Sequence, residues 1–363
     1  MGIGKINSLL YRNGTSYRLI DTHKSGDEVV RRERVSDEWW EHIQQARHYR
    51  NVISRNYISN KGVKSVGISQ GCNKIGNKRR VNIIIGVESE SSGRDIPAEV
   101  NGVKIIKKNV PDRRLMVECE NAGDYPNMPG GVEINEPNKA GTSTCAVKDT
   151  EEDQVRMLSA NHLFTGGYGD CEDTTSTKVL QNRTYLGYVT KNDQDLDFGF
   201  VDLSLNGSYT YENEVLDSSL GSRVNIAGYV SYNGVCVMIC NDACTSNNCE
   251  KDNVRKEGIA LGSLTDGYIS QIDYERSTCP TYDGDGIVTT FDIAGGDSGG
   301  PMYDYYNGDA YILAINSGST QSLQYQTSCR NDEGNTVMVY AYGGASGPSA
   351  YSIYDNYRMR FSY

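Results

Sequence analysis

Gly295-Gly296-Asp297-Ser298-Gly299-Gly300-Pro301 sets a serine in a glycine-dense turn, with an acidic residue directly before it and little side-chain bulk around it. Glycines let the backbone bend so that the amide N–H groups of Gly296 and Ser298 converge on one point. Two such donors can hold the negative oxygen that forms when a serine attacks a carbonyl, and loss of one donor of this kind costs about 10²–10³ in rate. Gly-Asp-Ser-Gly alone is ordinary turn composition; the longer string ending in Pro301 is what points to chemistry.

A serine hydroxyl is a weak nucleophile at neutral pH and needs a base. The chain has four histidines. His23, His42 and His48 lie in the polar amino-terminal part and are expected at the surface. His42 and His48 fall on one expected helix, at a spacing that does not stack two metal ligands on one face. His162 instead follows a strand-like run in Met157-Leu158-Ser159-Ala160-Asn161-His162-Leu163-Phe164 and is the candidate base. The base in turn needs a carboxylate that fixes its tautomer and stabilises the imidazolium. Asp193, Asp195, Asp197 and Asp202 crowd the segment from Lys191 to Leu203. Asp197 directly precedes Phe198-Gly199-Phe200-Val201 and so stands at the mouth of a buried strand, where a desolvated acid can meet His162. Asp195 is the reserve.

Chain order separates two kinds of serine site. Gly296-Asp-Ser298-Gly-Gly300 also satisfies the Gly-x-Ser-x-Gly elbow of α/β-hydrolases, but that fold carries its histidine after the serine. No histidine follows His162 here. The order His, Asp, Ser excludes the esterase or lipase reading.

The 363 residues suffice for one large core or two smaller ones. Lys and Arg number 36 against 47 Asp and Glu, a formal net charge of −11. That balance argues against electrostatic capture of nucleic acid or an anionic membrane. No apolar run reaches the roughly 18 residues that span a bilayer. The 39 Gly and 26 Tyr against 5 Phe suit turns and half-buried strands, so a mainly β chain is expected. Strand-like runs after Gly131 include Val155 to Ser159, Tyr185 to Val189, Phe198 to Leu203, Val224 to Val230 and Ala310 to Ile315, separated by turn clusters as in a barrel or sandwich.

The amino-terminal part reads differently. Ser36 to Asn56 opens with serine and acids and carries Trp39, Ile43, Ala46 and Val52 near helical spacing. Val63 to Ile68 and Val81 to Val87 read as strands. With the helix they make a small α+β module over 1–129, ending in the linker-like Asn121 to Gly130, ahead of a second domain over 130–363. Asn241 to Asn253 reads as an exposed polar loop.

The Ser-Ala-Asn-His stretch at His162 resembles the Thr-Ala-Ala-His segment of the chymotrypsin/trypsin-like serine endopeptidases. Asp197-Phe-Gly-Phe-Val resembles that superfamily's Asp-Ile-Ala-Leu-Leu strand, and Gly296 to Pro301 matches its nucleophile loop. The resemblance covers roughly Gly130 to Ala345. It implies two perpendicular six-stranded antiparallel β-barrels with the site in the cleft between them. It also implies Ser298 as nucleophile, His162 as general base and acid, Asp197 as its orienting acid, and Gly296 and Ser298 as the oxyanion hole. The reaction so implied is peptide hydrolysis through an acyl-enzyme, on a protein or peptide substrate, with no metal or organic cofactor. Ile312-Leu-Ala-Ile-Asn-Ser317-Gly318-Ser319 resembles the strand that pairs with substrate backbone and walls the specificity pocket. Asp292 occupies the position that in trypsin-like members sits at the pocket base and selects Lys or Arg, though without the neighbouring cysteine of that pattern. Other classes compatible with the sequence are a poorly active binding or regulatory protein on the same fold, and a protease limited to processing itself.

The extension before Gly130 resembles the region preceding the protease domain in certain microbial trypsin-like proteins. An inhibitory prosegment acting on the same chain, a docking module or a folding aid are its candidate roles, with Arg79-Arg80 and Arg113-Arg114 as candidate self-cleavage points. In trypsin-like zymogens the acid before the nucleophile pairs with a new terminal amine after cleavage; no activation site stands out here for Asp297.

Ten cysteines point to an oxidising or extracellular setting, while Met1 to Asn13 lacks an apolar stretch of signal-peptide length, and localisation stays open. Family members often close the loop around the histidine with a disulfide, and Cys145 and Cys171 bracket His162 as Cys279 and Cys329 bracket Ser298. Loops of these sizes would contribute roughly 2–4 kcal/mol each. Cys72 and Cys119 can pair within the amino-terminal module. Cys236, Cys240, Cys244 and Cys249 fit disulfides, free thiols or a metal site, without the short Cys-x-x-Cys knuckle usual for zinc.

Overall fold

The computed structural model describes residues 16–58, 62–89, 92, 95–109, 123–136, 139–165, 171–182, 184–203, 209–240, 254–321, 323–330 and 336–363. Ser36 caps the first helix: its hydroxyl accepts from Trp39 N at 3.3 Å, and Asp37 and Glu38 complement the helix dipole. The Asp37–Tyr57 helix buries Trp39, Ile43, Ala46 and Ile53, whereas Val52, expected on that face, is 41 % exposed. Trp39 and Ile43 begin an i, i+4 stripe that continues through Ala46 and Ile53, and Val52 lies off it.

Most of the remaining described chain is strand, as the tyrosine- and glycine-rich composition predicts. Two short helices, Tyr232–Met238 and Ala350–Tyr357, interrupt the β region. The described strands form four sheets. A nine-stranded sheet includes, in order, Leu264–Gly267, Val254–Lys256, Pro301–Tyr306, Asp309–Ile315, Ser222–Val230, Tyr17–Ser25 and Glu28–Ser36. An eight-stranded sheet runs Met359–Arg360, Cys145–Asp149, Gln154–Ser159, Phe198–Asp202, Thr184–Asp193, Lys178–Gln181, Glu133–Glu136, Lys139–Thr142. A second eight-stranded sheet joins Gly318–Ser319, Ala345–Pro348, Gly286–Thr289 and Ile269–Arg276 to Val63–Ile75, Lys78–Val87, Val103–Asn109 and Glu99–Val100. Asp292–Ile293, Thr336–Gly343 and Leu323–Arg330 make the fourth. The strand orders are open paths, so the described residues are mainly antiparallel β structure, with no closed six-stranded barrel in the pairing among them.

Strands from both sides of Gly130 share two of these sheets. Ile68 pairs with Ile272, and His23 with Val230. Arg47 binds Asp273 through two nitrogens, at 2.7 and 3.0 Å, and Arg50 meets Glu275 at 2.8 Å. Both arginines are buried, where a paired charge holds an element in one place and an unpaired one is costly. Arg79-Arg80 lies within the Lys78–Val87 strand, with Arg79 O accepting from Trp39 Nε1 at 2.8 Å, which is hydrogen-bonded sheet and not a loop presented for cleavage. Arg113-Arg114 and the Asn241 to Asn253 loop lie outside the described residues.

Of the three histidines expected at the surface, only His48 is exposed. His23 is fully buried, with Nε2 2.6 Å from Asp304 Oδ2 and Nδ1 3.1 Å from Thr22 Oγ1. His42 is buried on the inner face of the Asp37–Tyr57 helix, where Val81 N donates to its Nε2 at 3.1 Å. Burial, opposed by its hydrogen bonding at Val81, lowers its pKa. Each buried imidazole has polar partners, which a one-dimensional reading could not supply.

Candidate active site

Strand register brings His162 and Asp197 together. Ser159, last in Gln154–Ser159, pairs with Gly199, second in Phe198–Asp202. His162 follows Ser159 within the short Asn161–Phe164 turn of 3-10 helix, and Asp197 immediately precedes its strand, so both side chains arise at the same end of one strand pair. Asp197 adopts φ 59°, the left-handed region that aspartate tolerates better than most residues. Its Oδ1 accepts from His162 N at 2.8 Å and its Oδ2 lies 2.8 Å from His162 Nδ1. An ionised carboxylate only accepts, so Nδ1 carries the proton and Nε2 is the basic nitrogen. The side chains of both residues are buried. Asp195, the reserve, is exposed.

Ser298 sits on a loop pinned from two sides. Thr142 N donates to Ser298 O at 2.7 Å, Thr142 Oγ1 to Gly296 O at 2.7 Å, and Thr144 Oγ1 to Gly299 O. From the other side Gly299 N donates to Asn316 O at 2.6 Å and Asn316 N to Gly300 O at 2.8 Å. Gly299, at φ 88°, packs so closely that a Cβ there would lie 2.1 Å from Ser159 Oγ and from Thr142 O. The Ser298 loop therefore touches the strand end that leads to His162. Gly296 has φ 97°, which glycine alone adopts without cost. The amides of Asp297, Gly299 and Gly300 are taken up by Ala294 O, Asn316 O and Asp297 O. Those of Gly296 and Ser298 donate to none of the described residues. Ser298 Oγ is buried and likewise without a hydrogen-bond partner among them.

Asp297 is fully buried and turned away from the site. Lys256 Nζ donates to its Oδ2 at 2.7 Å, joined by Ala294 N at 3.0 Å, while Ala260 N and Leu261 N donate to Oδ1 at 2.8 and 3.0 Å. The partner of this acid is an internal lysine, itself fully buried, and not a terminal amine. Sequence reading missed Lys256, since one lysine in Val254-Arg255-Lys256-Glu257 looks like any solvated charge.

Glu257, next to that pair, accepts from Ser218 N at 3.0 Å and from Ser263 Oγ. Burial pushes its carboxyl from 4.5 up to about 7, against those bonds and the Lys256 charge. The folded chain thus keeps a proton that the unfolded chain releases above 4.5. The Glu257 contribution to stability is whole below that pH and falls by about 3 kcal/mol as pH rises through about 7. Unfolding free energies measured across this window are expected to fall more steeply for the parent than for Glu257→Gln; equal slopes would contradict the assignment.

The residues expected to meet substrate, Asp292 and Ser317 to Ser319, lie on two segments that both border Gly343 to Ser346. Asp292 pairs with Gly343, Phe291 O accepts from Ala345 N at 2.8 Å, and Gly318 and Ser319 pair with Ser346 and Ala345. Asp292 is half-buried on a short strand, and burial raises its pKa, opposed by the Lys256 charge and a Tyr325 hydrogen bond. Ser317 faces elsewhere: its hydroxyl donates to Asp197 Oδ2.

Cys171 bonds to Cys279, so the resemblance's implied Cys145–Cys171 closure does not form and Cys279 is not paired with Cys329. Cys145 is a buried free thiol on a core strand, its pKa pushed up by burial. Cysteine spacing carries no information about such connectivity. Cys72 and Cys240 are also disulfide-bonded, whereas Cys236 is a buried free thiol pushed up to about 12, chiefly by desolvation. One oxidised and one protonated, buried sulfur do not make a four-thiolate metal site with Cys244 and Cys249, which lie outside the described residues, as does Cys119.

No protein-family model matches the chain. No curated protein matches it. Among solved structures it is similar to Thermobifida fusca protease A, with a TM-score of 0.42 and 17 % sequence identity, over 64 % of this chain and 97 % of that one.

Proposed function

We propose that the chain is a serine endopeptidase acting through Ser298, His162 and Asp197. The observation that carries this reading is the two-point grip of Asp197 on the main chain and ring of His162, beside a Ser298 loop hydrogen-bonded to Thr142. Ser298 Oγ attacks the scissile carbonyl carbon while His162 Nε2 takes its proton, and Asp197 stabilises the resulting imidazolium. The oxygen that gains charge is received by the Gly296 and Ser298 amides. Collapse breaks the C–N bond, the amine leaves with the proton from His162, and water, deprotonated by His162, then hydrolyses the Ser298 ester. Asp292, Gly318 and Ser319 border the substrate, and Ser317 does so through its main chain only, its hydroxyl being held by Asp197.

A second reading, a protein on this scaffold that turns over poorly or processes only itself, draws on the exposure of Ser298 and His162, 2 % and 4 %. Labelling the purified chain with a serine-directed fluorophosphonate, mapped by peptide mass, separates the two. Modification of Ser298 together with cleavage of added protein is the expected result. Folded protein that takes up no label would overturn the endopeptidase reading. Label at Ser298 with a single internal cut and no turnover of added protein would leave self-processing.

A further inference from the structure

We propose that Tyr282 is a positioning residue for the His162–Asp197 pair, acting through Ser317; this rests on the endopeptidase reading above. Tyr282 is fully buried, and its hydroxyl lies 2.9 Å from Ser317 Oγ. Ser317 has one hydroxyl hydrogen, and the Asp197 carboxylate it contacts can only accept. Ser317 therefore gives its hydrogen to Asp197 Oδ2, and the Tyr282 phenol must donate to Ser317. The donors run in one direction, from Tyr282 through Ser317 to the oxygen that holds His162 Nδ1. Each bond in such a chain polarises the next, and the phenol stops the serine hydroxyl from rotating away from the carboxylate.

The backbone at Tyr282 supports a dedicated placement. Its φ is 62°, in the left-handed region where a bulky residue is a genuine outlier. Strain of this kind persists only where surrounding contacts enforce it. They are present: Tyr282 N donates to Asp195 O at 2.8 Å, two residues before Asp197, and its ring lies 6.1 Å from that of Tyr274. The Cys171–Cys279 disulfide ties the start of this loop to the chain that follows His162. The segment carrying Tyr282 is thus fastened to both sides of the pair it orients.

Tyr282→Phe removes one oxygen and keeps the ring. In the fluorophosphonate-reactive enzyme it is expected to lower kcat about 3- to 10-fold with KM unchanged, the scale of one lost hydrogen bond. In a Ser317→Ala background the same change is expected to have no further effect, because its route to Asp197 is already cut. Proton NMR of the His162 Nδ1–H resonance supplies a readout independent of turnover, and a shift in Tyr282→Phe is expected. An unchanged resonance, an unchanged kcat, or an equal loss in the Ser317→Ala background would each overturn the proposal. Failure of Ser298 to label in the parent, with the resonance still shifting, would sink the endopeptidase reading and leave the Tyr282 contact standing.

Discussion

Peptide hydrolysis by Ser298→Ala is expected to fall about a millionfold, to what binding and the loop amides supply alone. Asp197→Asn is expected to lower kcat about 10⁴-fold, with little change in KM. The physical reason lies in the two contacts Asp197 makes with His162. If the amide oxygen keeps the bond from His162 N, now made at 2.8 Å, its NH2 must face Nδ1. Nδ1 then becomes an acceptor, the ring proton moves to Nε2, and Nε2 can no longer take the proton of Ser298. The same NH2 also confronts the Ser317 hydroxyl, which loses its acceptor. Steady-state kinetics on a protein substrate check both variants. Asp197→Asn turning over within tenfold of the parent would remove Asp197 from the orienting role.

The second large effect is expected at Lys256. Lys256→Met leaves the Asp297 carboxylate buried with three backbone donors and no countercharge. Removing one partner of a buried ion pair costs about 3–5 kcal/mol, because the remaining charge stays desolvated. Asp297 lies between Gly296 and Ser298, whose amides are proposed as the oxyanion hole, so relaxation of its side chain is expected to turn those two N–H groups away from the developing charge. The rate of fluorophosphonate labelling at Ser298 is expected to fall about 10²–10³-fold, the cost of one misplaced donor. Thermal unfolding gives the stability loss and separates it from the rate effect, since labelling is measured well below the transition. A variant with parental stability and labelling rate would show that Lys256 does not hold the loop.

This ion pair also bears on how the site is assembled. A terminal amine reaches such an acid only after the chain is cut, whereas Lys256 reaches Asp297 from within the Val254–Lys256 strand, held by Pro301–Tyr306. In this structure the Ser298 loop is held by Lys256 in the uncut chain.

Local sequence determined the local facts. The helix beginning at Ser36 follows from a capping hydroxyl, two acids and a stripe of apolar residues, all readable within a few turns. The turn at Ser298 follows from its glycines, and the strands at Gln154–Ser159 and Phe198–Asp202 from short apolar runs between turns. His162 and Asp197 were legible as a pair because each stands just outside one of those strands, and the strands are neighbours.

What the tertiary structure decided is the set of partners. The amino-terminal segment reads as a separate module because periodicity has a range of some ten residues, yet its strands find their edges on Ile269–Arg276 and Ser222–Val230, far along the chain. Cys171 pairs with Cys279 across 108 residues, and burial keeps Cys145 apart as a thiol. His23 and His42 are polar in sequence and buried in space because Asp304 and the Val81 backbone satisfy them. Lys256 and Tyr282 have no sequence mark of their importance: each acts on a group, Asp297 and Ser317, that only folding carries to it. Residue type and spacing fix which chemistry a chain can perform, while burial and long-range pairing fix which charge meets which.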